Sequence, residues 1–183
     1  SPFTARDWTR AATLILGECE TMLTRGEIVT MLKWLKALPD DIVRGDQQLC
    51  LNCSWALILT GALDAAESYL AQAEAVAHAQ SITPLLGNIY AAQTHIARAR
   101  GDDRRTIELS QPALSFMPAD ALTERSVVAL NLGIANLNGG HLIEAEQSLT
   151  EAERTGQQSG NHHVRLIALT FLGVIQVVQG RLH

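Results

Sequence analysis

Asn131-Leu-Gly133-Ile-Ala-Asn-Leu-Asn-Gly-Gly140-His-Leu-Ile-Glu-Ala145-Glu-Gln-Ser-Leu149-Thr-Glu-Ala152 reads as a helix, a two-residue turn and a second helix. Small residues at Gly133 and Ala145 let two antiparallel helices approach closely, and Gly139-Gly140 supplies a turn free of Cβ clashes. Leu149 and Ala152 continue the inward face of the second helix. A single hairpin of this kind cannot bury its own apolar stripe and needs copies stacked beside it.

The same punctuation recurs along the chain. With Gly140 as anchor, comparable glycines stand at Gly26, Gly61, Gly101 and Gly180, at successive gaps of 35, 40, 39 and 40 residues. Five residues after the first four anchors come Met31, Ala66, Thr106 and Ala145. Nine after come Leu35, Leu70, Ser110 and Leu149, and twelve after come Leu38, Ala73, Ala113 and Ala152. Seven before the five anchors stand Cys19, Ser54, Thr94, Gly133 and Gly173, all small. The pattern predicts an all-α, right-handed superhelix of about four and a half stacked helical hairpins with a period of about 40 residues. Thr106 and Ser110 make the third copy the least regular.

Composition supports helices. Hydrophobic residues make up 47% of the 183-residue chain and aromatics only 4%, which favours Ala- and Leu-rich helix packing over a sheet core. No linker marks a second core, so the reading is one domain over 1–183. A net charge of −5 argues against direct nucleic-acid contact, which depends on clustered Lys and Arg. The most apolar run, Val164 to Val178, is interrupted by Arg165 and Gln176 and falls short of the roughly 20 residues of a membrane span. The polar start lacks a signal-peptide pattern, and three cysteines give no even disulfide framework; both fit a cytoplasmic chain.

The repeats are expected at about 4–38, 46–80, 84–117, 120–156 and 162–183, the last truncated. Pro39 closes the first hairpin, and Asp40-Asp41 then stand before a short extended link. Pro84 opens the third copy at a first-turn position, Asp102-Asp103 offer a helix cap, and Pro112 is expected to kink or shorten the helix around it.

Trp34-Leu-Lys-Ala-Leu-Pro-Asp40, followed by Leu49 to Glu74 with its Trp55-Ala and Gly61, resembles the tetratricopeptide-like superhelical region of MalT-like, LuxR-type ATP-dependent transcriptional activators. The resemblance is strongest over Trp34–Glu74 and extends more loosely through the 40-residue period. It implies a non-catalytic sensing and interaction segment of a larger signal-transduction protein, binding an inducer or a regulatory protein and taking part in self-association. The flanking modules of that family are not in the sequence: there is no phosphate-cradling G-x-x-x-x-G-K-[ST] stretch and no basic recognition helix. The chain therefore reads as a fragment. The alternative is a general tetratricopeptide scaffold for a peptide or protein, unrelated to transcription.

Candidate chemistry gives way to structural readings. Cys50-x-x-Cys53 has no second ligand pair at metal spacing and reads as core thiols, with neither metal nor cofactor expected. His162-His163 point about 100° apart on a helix. Glu144, Glu146, Glu151 and Glu153 read as a solvated face, and Asn52-Cys-Ser54 is helical, so not a glycosylation loop. No nucleophile, base and orienting group assemble, so no enzyme is expected.

A stacked array puts the outward residues of each first helix on a concave wall. These are Glu20, Gln48, Trp55, Asn88, His95, Arg98, Asn138 and Thr170, mixed with Leu51, Ile58, Ile134 and Val174. Gln48, Trp55, Asn88, His95, Arg98 and Asn138 form the candidate ligand-binding set, a Trp, a cation and amides suited to a small polar inducer or a peptide. The apolar last helix, carrying Leu166, Leu169, Phe171 and Val174 to Val178, is a candidate for self-association.

Overall fold

The computed structural model describes residues 5–180, without the side chains of residues 5, 6, 20 and 24. The described residues form ten α-helices and no strand: α1 (Ala5–Arg25), α2 (Ile28–Ala37), α3 (Asp40–Gly45), α4 (Gln47–Leu59), α5 (Leu63–Gln80), α6 (Thr83–Ala99), α7 (Asp103–Phe116), α8 (Leu122–Asn138), α9 (Leu142–Ser159) and α10 (His162–Val178). The expected all-α, tetratricopeptide-like hairpin fold is what the helices form. They pack into two compact units, Ser1–Ile82 with α1 to α5 and Thr83–His183 with α6 to α10.

The turn chemistry is the same at each anchor. Gly26, Gly61, Gly101, Gly140 and Gly180 have φ of +73°, +82°, +74°, +79° and +66°, a left-handed conformation that a Cβ disfavours. The residue after each of the first four anchors donates its N–H to a carbonyl of the preceding helix, as in Glu27 to Met22 (2.8 Å) and His141 to Asn136 (2.9 Å). These bonds satisfy carbonyls that a helix end otherwise leaves open. Gly139, by contrast, is right-handed, so only Gly140 of that pair is needed for its backbone.

Three helix starts, those of α4, α7 and α10, carry a capping side chain. Asp46 accepts from the Gln48 and Leu49 N–H groups at 2.9 Å, Asp102 from Arg105 N–H at 2.9 Å, and Asn161 from Val164 N–H at 3.2 Å. Every residue five, nine and twelve positions after the first four anchors is buried. Thr106 and Ser110, irregular in sequence, fit because each hydroxyl donates to the carbonyl four residues back, at 2.8 and 2.7 Å. In the second unit Leu149 of α9 packs directly on Gly133 of α8, where an added Cβ would lie 2.6 Å from Leu149 Cγ.

The structure corrects two local expectations. The extended link expected after Asp40-Asp41 is instead helical, part of the short helix α3. Pro39 precedes it, Asp40 and Asp41 sit in its first turn, and Arg44 Nε donates to Asp40 Oδ2 at 2.7 Å one turn on. Val43 of this helix is buried. Leu51 and Ile58 are buried core side chains, at 3% and 5% exposure, rather than groove lining. Around Pro112, α7 runs through to Phe116 and ends ahead of Pro118; its 14 residues compare with 18 in α5 and α9.

Candidate functional site

The first helices of the second unit carry the site. In α8, Val127, Ile134 and Leu137 stand 13, six and three residues before the anchor and pack on a core built with Val164, Ala168 and Ile175 of α10. In α6 the same three positions hold Asn88, His95 and Arg98, all half-buried. As α8 packs on α10, so α6 packs on α8, and the repeat equivalence sets these three side chains along the α6–α8 seam. The seam residue that α8 returns is Asn131, nine before its anchor and 3% exposed; its counterpart in α10 is Phe171. By that equivalence α6 carries polar, half-buried side chains at three positions where α8 carries apolar ones.

Two donors of this seam lack acceptors. Nε of Arg98 and Nδ2 of Asn131 are buried and have no hydrogen-bond partner among the described residues, a state that costs a buried polar group on the order of 1–3 kcal/mol. Burial and, secondarily, the neighbouring Arg98 charge push the His95 imidazole down to about 4, so it is neutral at physiological pH. Of the carboxylates that follow Arg98 in the chain, Asp102 caps α7 and Asp103 Oδ1 accepts from Asn138 Nδ2 at 3.1 Å.

The six candidate residues divide between the units. Asn88, His95, Arg98 and Asn138 belong to the second, where Asn138 is exposed and tied to α7 by its bond to Asp103. Gln48 and Trp55 belong to the first; Gln48 is exposed and donates to Asn52 Oδ1 at 3.4 Å, and Trp55 is half-buried. Thr170 is exposed on α10, with its hydroxyl on Leu166 O at 2.9 Å. The side chain of Glu20 lies outside the described residues.

Other sequence candidates settle into packing. Cys50 and Cys53 are buried; desolvation pushes the Cys50 thiol up to about 11 and raises Cys53 as well, so both are poor thiolates. Among the described residues no group of three or more His, Cys, Asp or Glu is placed to hold a metal ion. Glu151 pairs with Arg154 at 2.7 Å and Glu153 with Arg165 at 2.8 Å. His162 and His163 are exposed in the first turn of α10. No helix among the described residues is long and apolar enough to cross a membrane.

Two surface hollows lie away from the seam. One, of about 440 Å³, runs over the outer face of α9 beside Ile143, Glu146 and Arg154. Another, of about 250 Å³, sits between α1, α3 and α4 beside Thr9, Asp41 and Leu49. Both are open depressions and hold none of the six candidates, so the seam's chemistry outweighs their volume as a guide to function.

A feature missed in sequence is the clasp on α3. The Arg44 guanidinium lies 4.5 Å from the Tyr69 ring centroid and donates to Ser68 Oγ at 3.3 and 3.4 Å, while Tyr69 OH donates to Asp40 Oδ1 at 3.1 Å. The i, i+4 spacing of Asp40 and Arg44 is the signal that could have found it. Asn131 is likewise absent from the sequence-derived set, although Asn52 occupies the same position before its own anchor.

The description "MalT-like TPR region" belongs to a family model that matches residues 87–183, just over half of the chain. No curated protein and no solved structure matches it. The match takes in all but the first turn of α6 and every later helix, including Asn88, His95, Arg98 and Asn138. It lies outside Trp34–Glu74, where the resemblance in sequence is strongest. With the hairpins of the second unit and a family match over those same helices, the chain belongs to the MalT-like TPR region family.

Proposed function

We propose that this chain is the effector-sensing and protein-interaction segment of a multidomain, LuxR-type transcriptional regulator, taking an inducer or a regulatory protein on the exposed faces of its first helices. The observation that carries the reading is the α6–α8 seam, where Asn88, His95 and Arg98 replace the apolar packing of the following repeat. A helical-repeat scaffold gains nothing in stability from such a substitution, because half-buried polar groups cost desolvation. Retaining them fits a surface kept for recognition. Effector binding would act by shifting the population of packed arrangements, which requires different affinities for each.

Self-association through α10 belongs to the same proposal. Leu166, Leu169, Val174, Val177 and Val178 are between 44% and 67% exposed on that helix, a concentration of apolar surface that favours association.

Calorimetric titration of the protein with sugars and other small metabolites tests the sensing role. Saturable heat that is weakened at least tenfold by Arg98→Ala supports it. Binding restricted to a protein or peptide supports the general scaffold instead, and an upstream gene segment without a phosphate-binding loop would remove the regulator assignment.

A further inference from the structure

Two buried donors, Arg98 Nε on α6 and Asn131 Nδ2 on α8, have no acceptor among the described residues. Arg98 and the Asn131 amide present N–H groups, the flanking Asp102 and Asp103 are occupied by a helix cap and by Asn138, and Arg98 forms no ion pair among the described residues. Asn131 is almost wholly buried at 3% exposure, so its open Nδ2 is not a surface amide turned to solvent. The equivalent positions one repeat on, Leu137 and Phe171, are apolar and packed. The hairpin architecture therefore accommodates hydrocarbon here, and the donors are a local departure from it.

We propose that this seam binds the oxyanion group of a small metabolite, a carboxylate or a phosphate, with Arg98 supplying the charge and Nε–H and Asn131 the second donor. The proposal rests on the sensing role above and narrows its effector to an anionic class. An oxyanion brings a countercharge for Arg98 and acceptor lone pairs for both open donors. Hydrogen bonds from a guanidinium to an oxyanion are about twice as strong as neutral ones, and removing the seam from water strengthens them further. His95 beside Arg98 is neutral and adds no second positive charge, so one formal charge on the ligand suffices. Asn88, on the same face toward the start of α6, is placed to read the body of the ligand rather than its charged group.

The test is a side-chain nitrogen–proton NMR titration of the full chain at constant ionic strength, following Arg98 Nε–H and the Asn131 amide. Succinate and inorganic phosphate are the probes, with sodium chloride as reference. Saturable shifts in both signals are expected with one or both probes, and the stronger probe identifies the oxyanion. Arg98→Met should weaken that binding at least tenfold. Asn131→Leu should weaken it several-fold while keeping the helical circular dichroism, since leucine suits the apolar counterpart of this seam. Shifts that grow linearly without saturation, or that persist in Arg98→Met, overturn the proposal. If neutral metabolites still give saturable calorimetric heat in that case, the sensing role stands and only the anionic assignment falls.

Discussion

Gly133 and Gly173 each stand seven residues before an anchor glycine, one in α8 and one in α10, yet their surroundings differ. A Cβ on Gly133 would meet Leu149 Cγ at 2.6 Å and the Leu149 backbone N at 3.1 Å, whereas nothing lies within 4 Å of one on Gly173. Gly133→Ala should therefore destabilise the protein by about 1–3 kcal/mol, since backbone as well as side chain must give way. Gly173→Ala should stabilise it by about 0.5–1 kcal/mol through helix propensity alone. Chemical denaturation compares the two, and equal effects would show that the contact with Leu149 is not what fixes glycine in α8. His95 supplies a second residue-scale prediction. Its imidazole sits near 4 in the folded chain against an ordinary value of 6.5, so between those pH values the unfolded chain binds more protons. Stability is then fully present above about 6.5 and falls as pH drops toward 4, by about 3 kcal/mol. Denaturation midpoints at pH 7 and 4.5 should separate less in His95→Gln than in the parent; an unchanged separation would locate the acid sensitivity elsewhere.

Among the elements, α3 and α10 depart furthest from a regular array. The helix α3 is only six residues long, too short to persist by its own hydrogen bonds. It is held by buried Val43, by the Arg44 clasp on Ser68 and Tyr69 of α5, and by the Asp40 carboxylate, which its bond to Arg44 keeps below the usual range. The Ser68 and Tyr69 partners lie outside the segment itself, which is why the stretch after Asp40-Asp41 reads as a link in sequence. In α10, only Val164, Ala168 and Ile175 are buried, and among the described residues nothing lies within 4 Å of a Cβ on Gly173. Sedimentation velocity should accordingly show mass rising with protein concentration, and Leu169→Asp should lower it. A strict monomer at high concentration would count against association through this helix.

At the scale of the whole molecule, the first five helices form one compact unit and the last five another. Residues 83–183 hold the α6–α7 and α8–α9 hairpins together with α10, and a core from Ala129 to Ile175 joins α8, α9 and α10. Produced alone, that segment should fold with a helical spectrum and a single cooperative thermal transition; a featureless melt would show that its core is insufficient. The helices, their turns and the inward positions of each hairpin were legible in the sequence. They depend on short-range causes: a left-handed glycine at a fixed spacing, a capping carboxylate, and the 3.6-residue period that buries Met31, Leu70 and Leu149 alike. The candidate site was legible only as a set of residue types. That Leu51 and Ile58 are core, that Asn138 is tied to Asp103, and that Asn131 is buried with its amide nitrogen unpartnered among the described residues were decided by tertiary packing. Each depends on side chains from other helices, and burial at a seam belongs to both helices that form it.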